Sequence, residues 1–321
     1  MNGDSSRQAI VVGGGVIGCM SAYYLAERGW KVRLLEAGRL GGGASHGNCG
    51  YVCPSHVLPL AMPGALRGVL ASVARRDSPV YLKPRWDPQL WRWLMRFAGR
   101  CREEFVLPTA RARHALLRSS MALYRDLVAR ESIDCQWQDQ GLLLVFPTRR
   151  GFEHYRRTAN LLREQFDFPV TAYEGEAVTE LEPALRPRQA GGWLLQGDAH
   201  LRPDRLMAEL GRVLRTRGVT VEEQTPVLRL AIESGRAHGV HTADGLQRAH
   251  AVVIASGART PGFARELGCP VPIQPAKGYS LTYPPPQRPP RIPLIFEGCH
   301  VAITPMATAL RVGSTMEFAG Y

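Results

Sequence analysis

The chain has 321 residues, 45% of them apolar, and carries 40 Lys+Arg against 28 Asp+Glu for a formal net charge of +12. At roughly 100 to 200 residues per domain, this length calls for two domains with sizeable cores, and the charged fraction of 21% excludes disorder, collagen and coiled coil. No apolar run approaches the ~20 residues that cross a bilayer, and the cations, all arginine except Lys31, Lys83 and Lys277, are scattered among acidic residues rather than gathered into a nucleic-acid footprint.

Ala9 to Val12 is a β-branched run ending at Gly13, followed by an amphipathic stretch with Ile17, Tyr24 and Leu25, then Arg28-Gly29 and the apolar run Lys31 to Leu35. This pattern predicts a strand, a tight turn, a helix closed by Gly29, and a second strand. Val16-Ile17-Gly18-Cys19 has the look of a lipoprotein cleavage box, but Asp4 and three consecutive glycines suit a turn better than a signal-peptide core, so secretion is not expected. Residues 54–197 read as a long insertion of amphipathic helices with one clear strand, Leu142 to Phe146. Pro203 is placed to open a helix with Leu206, Met207, Leu210, Val213 and Leu214 on one face, closed by Gly218. Strands are expected at Val219–Glu222, Leu228–Ile232, Ala237–His241 and Ala249–Ala255, with Asp244-Gly245 as a hairpin turn between the last two. Beyond Pro261 the chain is Pro-rich, and Lys277–Tyr283 and Val301–Thr304 read as strands. The expected fold class is α/β. A Rossmann-like nucleotide-binding domain, residues 1–53 and 198–263, is interleaved with an α+β domain, residues 54–197 and 264–321.

The strongest motif is Gly13-x-Gly15-x-x-Gly18, directly after the first strand and opening the helix, with Glu36 at the end of the next strand. Gly13 permits the tight turn, Gly15 lets the backbone approach a pyrophosphate, and Gly18 allows close helix–strand packing. Val16 and Ile17 complete the turn into the helix, whose N-terminal N–H groups favour phosphate. Glu36 can accept hydrogen bonds from a ribose and would repel a 2′-phosphate, which argues for FAD or NAD over NADP. Immediately afterwards Ala37 leads into Gly41 to Gly50, a glycine-rich run with Gly43, Ala44, Ser45, His46 and Asn48. Such a segment can lie along an extended cofactor with its backbone N–H groups serving phosphate and flavin-ring oxygens, which favours FAD.

The run GGGASHGNCGYVCPSHVLPLAMPGAL, residues 41–66, together with KPRWDPQLWRWLMRF, 83–97, and PAKGYSLTY, 275–283, resembles the D-amino-acid dehydrogenase branch of the FAD-dependent D-amino-acid oxidase and sarcosine oxidase-like family. The likeness covers essentially the whole chain. It implies FAD in a two-domain fold, an amino-acid substrate oxidatively deaminated, and electrons passed to a respiratory quinone or another acceptor. Carried over by position, Gly13, Gly15, Gly18 and Glu36 match the family's ADP-binding unit, and Ala44, Ser45 and Asn48 its flavin-contacting loop. Val227 matches the residue whose backbone meets the adenine, and Ala255 and Gly257 match the strand end beside the pyrophosphate. The resemblance also implies that family members run on beyond Tyr321, with a glycine-rich stretch under the flavin and part of the substrate-carboxylate clamp in that segment.

Flavin oxidation of an amine moves a hydride from the substrate Cα to flavin N5 and needs no acid–base dyad, so no catalytic residue is assigned; the protein's task is orientation and a cation for the carboxylate. The pocket candidates are His46 and His56 by the flavin loop, Lys277 in its strand, and Tyr279, which reads more as a core residue than as a hydroxyl donor. D-proline or hydroxy-D-proline are further substrates the same chemistry can take. An oxygen-using glycine or sarcosine oxidase, and a non-enzymatic FAD-domain remnant or partner subunit, stand as alternatives. Seven cysteines without a CxxC pair or zinc-type histidine spacing read as reduced thiols of a cytoplasmic protein, and no metal is expected. In Pro88–Arg100, Arg92, Arg96 and Arg100 form one helical stripe while Leu90, Trp91, Leu94, Phe97 and Ala98 occupy the rest. A basic, Trp-bearing helix of this kind either packs on its own domain or lies at the inner face of an anionic membrane.

Overall fold

A computed structural model describes residues 7–65, 78, 80–83 and 85–321; Leu66 and Pro84 of the runs quoted above lie outside them. The chain opens with β1 (Gln8–Val12), α1 (Val16–Glu27), β2 (Lys31–Leu35), α2 (Ala44–Gly47), β3 (Tyr51–Val52) and β4 (Val80–Leu82). There follow α3 (Pro88–Arg100), α4 (Glu103–Arg130), β5 (Leu142–Phe146), α5 (Arg149–Phe166), β6 (Val170–Glu174), α6 (Ala177–Leu181), β7 (Gly191–Leu195) and β8 (Ala199–His200). Next come α7 (Pro203–Thr216), β9 (Thr220–Glu222), β10 (Arg229–Glu233), β11 (Arg236–Thr242), β12 (Gly245–Arg248) and β13 (Ala251–Ile254). A 3-10 turn (Gly257–Phe263) leads to β14 (Lys277–Tyr283), β15 (Leu294–Phe296), β16 (Val301–Met306) and β17 (Ala309–Phe318). The chain divides into two compact units, 1–47 with 203–275 and 48–202 with 276–321.

The first unit is built on a parallel sheet in the order β13-β1-β2-β9. Four consecutive residues of β1, Ala9 to Val12, are buried. That is why this strand reads as an unbroken apolar run rather than an alternating one. Helix α1 makes the crossover from β1 to β2. Helix α7 leads into β9 with its Leu206, Met207, Leu210, Val213 and Leu214 face buried. A second, antiparallel sheet β10-β11-β12 packs Leu230 and Val240 against Ile10, Val12 and Leu35. Asp244-Gly245 joins β11 not to β13, as expected, but to β12, a short strand between the turn and β13, which pairs with β1 instead.

The second unit holds an eight-stranded sheet, β14-β17-β16-β15-β5-β7-β6, with β4 pairing β17. Strand β5 sends Leu142, Leu144 and Phe146 into one cluster with Phe152, Phe166 and Trp193, and Leu143 and Val145 into another with Val178 and Leu294. Its two faces are thus both covered, as the period of two demands. The insertion is richer in strand than its sequence implies, since β4, β6 and β7 lie there besides β5. Strand β7 begins Gly191-Gly192, where a Cβ would lie 2.6 Å from Tyr173 O and 2.7 Å from Val178 Cγ2 respectively. Close packing on both sides requires glycine, and glycine hides the strand from propensity. Glu182, fully buried, accepts hydrogen bonds from the N–H groups of Ala184 (3.1 Å), Arg291 (2.6 Å) and Ile292 (3.0 Å). It ties the segment before β15 to the end of α6. Among the described residues, no helix is long and apolar enough to cross a membrane.

Candidate cofactor-binding site

The glycines between β1 and α1 sit where backbone meets backbone. Gly13 stands at φ +109°, and a Cβ on it would lie 2.5 Å from Ala255 O at the end of β13; one on Gly18 would lie 1.8 Å from Gly13 O. Only glycine permits this approach of helix, turn and strand end. Gly15 is the N-cap of α1 and offers it no side chain, and no acidic residue stands in the first turn. The partial positive charge of the helix N-terminus therefore has no counter-charge from its own first turn, as suits a bound phosphate. Ser45 Oγ accepts from Val16 N–H at 2.9 Å and lies 3.2 Å from where a Gly15 Cβ would be. The short helix α2 is thereby held beside the turn.

Glu36 ends β2 with its carboxylate turned onto the same turn. Gly14 N–H donates to Oε2 at 2.6 Å and Gly38 N–H to Oε1 at 2.8 Å. The Glu36 carbonyl accepts from Thr225 N–H at 2.8 Å. This bond sets the course of the chain into Val227, which packs against the cluster of Ile10, Val12 and Leu35. Ile17 is 68% exposed, and Ala37, Gly43, Ala44, His46 and Gly257 are also open to solvent. Gly13, Gly15, Val16, Gly18, Glu36, Ser45 and Ala255 are brought together; the set fits an ADP-bearing dinucleotide, because a helix whose N-cap is glycine, turns that exclude a Cβ and an acidic strand end are what its phosphates and ribose require.

The glycine-rich run continues past Gly47 into the second unit. There Asn48 Oδ1 accepts from Gly50 N–H at 2.7 Å, and the Asn48 carbonyl accepts from Arg311 Nη1 at 2.9 Å. Arg311, only 5% exposed on β17, also donates to Thr282 Oγ1. Sequence reading missed this anchor because an arginine in an alternating strand carries no motif. Lys277 and Tyr279 are exposed on β14; the Tyr279 hydroxyl donates to Glu317, and its 54% exposure replaces the core position expected of it. Among the described residues, strand β14 pairs with β17 alone and stands at the edge of its sheet.

His56 belongs to a different cluster. Ser55 N–H donates to Asp198 Oδ1 at 3.1 Å and Ser55 Oγ to Oδ2 at 2.6 Å, while Ser55 Oγ lies 3.2 Å from His56 Nδ1. Burial lifts the Asp198 carboxyl to about 6 against the pull of its Ser55 and Cys53 hydrogen bonds. The protein around His56, with Arg113 beside it, holds that imidazole below its usual range. Close by in sequence, His200 is 1% exposed and is lowered by burial to about 4, a hydrogen bond to the Pro305 carbonyl opposing the shift.

Comparison with known proteins agrees with this geometry. A family model described as "DAO: FAD dependent oxidoreductase" matches residues 8–321. The chain is 36% identical over 324 residues to a D-amino acid dehydrogenase of Methylobacterium radiotolerans, covering 97% of this chain and 76% of that protein. A D-amino acid dehydrogenase of Methylobacterium nodulans is 36% identical over 326 residues, covering 98% and 76%. Among solved structures, glycine oxidase from Geobacillus kaustophilus superposes with a TM-score of 0.71 at 24% identity, covering 97% of this chain and 72% of that one.

Proposed function

The chain belongs to the DAO family of FAD-dependent oxidoreductases, and from that premise we propose that it is a dehydrogenase of D-amino acids, with D-proline and hydroxy-D-proline as candidate substrates. The observation that carries the reading is the glycine turn into α1 with Glu36 fixed beside it, in a chain 36% identical to a D-amino acid dehydrogenase. The backbone of Gly15, Val16 and Ile17 holds the pyrophosphate, Glu36 accepts from the ribose, and Ala44, Ser45 and Asn48 run along the flavin. When bound, FAD would supply the two-electron oxidant for the substrate Cα–H bond, the amine nitrogen losing a proton, and water would convert the resulting imino acid to a 2-oxo acid with release of ammonia. The protein holds the substrate carboxylate with a cation, a charge-assisted bond of about 1.5–3 kcal/mol that selects which face of Cα is presented. Lys277 and His56 are the candidates for lining that pocket.

The acceptor is a respiratory quinone or a similar carrier, and helix α3 supports a peripheral contact with the membrane that holds it. Leu90, Trp93, Leu94, Phe97 and Ala98 turn inward, with Trp93 stacked on Phe97. Trp91 and Met95, 51% and 68% exposed, stand instead among Arg92, Arg96 and Arg100. Apolar side chains between cations are the arrangement an anionic interface takes. The test of function is the visible spectrum of the FAD-loaded chain under anaerobic addition of D-alanine, D-proline and hydroxy-D-proline. Bleaching by one of them without oxygen consumption in air supports a dehydrogenase. Rapid oxygen uptake would point to an oxidase, and no bleaching by any amine would remove the enzymatic reading.

A further inference from the structure

We propose that Cys53, His56 and Asp198 form a binding site for a borderline-soft divalent cation, for which zinc is the best match. One ligand atom of each residue, the Cys53 sulfur, a ring nitrogen of His56 and a carboxylate oxygen of Asp198, lies within 4.8 Å of the other two. Ordinary zinc bond lengths in a tetrahedral site place ligand atoms roughly 3.3–3.7 Å apart, so the cluster closes on a cation through side-chain shifts of about 1 Å. Two of the ligands come from one turn, where His56 N–H donates to the Cys53 carbonyl at 3.2 Å. The third comes from the loop between β7 and β8. The mixed sulfur, nitrogen and oxygen set selects zinc over magnesium or calcium, which take oxygen alone.

Charge favours the same conclusion. Asp198 is fully buried, and the partners it has are neutral donors: Ser55 N–H, Ser55 Oγ and the Cys53 thiol. Among the described residues no Lys or Arg forms an ion pair with it. A thiolate and a carboxylate together balance a divalent cation, leaving the buried site neutral. Ser55, bonded to Asp198 and in contact with His56 Nδ1, is placed as the outer partner that orients two of the ligands. Three protein ligands leave a fourth position for water or a substrate group.

The probe is cobalt(II), which reports thiolate ligation through a charge-transfer band in the near ultraviolet. The full chain, stripped with EDTA, is titrated with cobalt and then with zinc while absorbance and melting temperature are followed. The site requires one cobalt per chain, a charge-transfer band abolished in Cys53→Ser, displacement by zinc, and affinity reduced at least about 100-fold in His56→Gln. The histidine is exposed, so its replacement leaves the fold intact and decides the matter even if Cys53→Ser fails to fold. Absence of stoichiometric binding at micromolar metal, a band that survives Cys53→Ser, or unchanged affinity in His56→Gln would each overturn the assignment.

Discussion

Replacing Gly18 and Gly15 one at a time separates two demands that the glycine turn meets together. A Cβ at position 18 would stand 1.8 Å from Gly13 O, about 1.2 Å inside the closest approach that real Cβ atoms tolerate, and the atom it meets is backbone. Gly18→Ala must therefore push α1 away from the turn and from the end of β13. Overpacking of this kind costs about 1–3 kcal/mol, which in a chain of this size lowers the melting temperature by roughly 2–6 °C. The displaced helix also loses its aim at the pyrophosphate, and one charge-assisted bond of ~1.5–3 kcal/mol lost there weakens FAD binding at least about tenfold. At position 15 the nearest atom to a Cβ is the Ser45 hydroxyl at 3.2 Å, the movable end of a side chain. Gly15→Ala should leave the cofactor-free stability within about 1 kcal/mol of wild type while still losing FAD affinity, because the methyl group stands where backbone has to approach phosphate. Differential scanning calorimetry without cofactor, paired with FAD titration followed by flavin fluorescence, reads both quantities. If Gly18→Ala melts like wild type, the close approach of α1 is not what the glycine serves. If Gly15→Ala binds FAD normally, this turn is not the pyrophosphate site.

Three other outcomes can be checked. His200, lowered to about 4, keeps a neutral ring in the folded chain, so folding stability should fall as pH drops from about 6.5 toward about 4, by on the order of 3 kcal/mol. Denaturant melts across that range in wild type and His200→Gln should show the acid-side loss flattened in the variant; parallel curves would refute it. Glu182→Ala leaves the N–H groups of Ala184, Arg291 and Ile292 without their buried acceptor and should destabilise the second unit by about 2–4 kcal/mol, read by urea unfolding, with Glu182→Gln milder. Charge reversal in Arg92→Glu/Arg96→Glu should abolish cosedimentation with vesicles rich in anionic lipid, whereas equal binding by both proteins would place any membrane contact elsewhere.

What sequence reading reached depended on how local the physical cause was. The β1-turn-α1-β2 unit was legible because Gly15, Gly18 and Glu36 answer to neighbours within about thirty residues and Gly13 to the turn it opens as well as to β13, and Lys31–Leu35 was placed to the residue. Strand β7 was not, since Gly191 and Gly192 are dictated by Tyr173, Phe152 and Val178 packing on them from elsewhere. Which side of α3 is occupied was left open for a similar reason. Apolar character points inward by default, and only the packing of Trp93 against Phe97 and Phe318 shows which face of α3 is occupied. The Cys53–His56–Asp198 cluster was invisible as a spacing because its third member arrives from a loop far along the chain. Arg311 likewise acquires its role only when β17 lies beside the Asn48 carbonyl.

The parallel sheet of the first unit has a consequence for how the polypeptide comes off the ribosome. Ala9 of β1 finds its neighbour Ala251 of β13 only about 240 residues later, a wait of roughly 12–50 s at ordinary elongation rates of ~5–20 residues per second. The second unit waits too, because β15 adds to β5 only once residue 294 has emerged. Until then, the apolar strands β1 and β2 stand exposed as a nascent edge. Synthesis of this chain is therefore a race between late strand pairing and aggregation, in which slow-decoding stretches before β13 prolong the hazard and an early-binding chaperone shortens it.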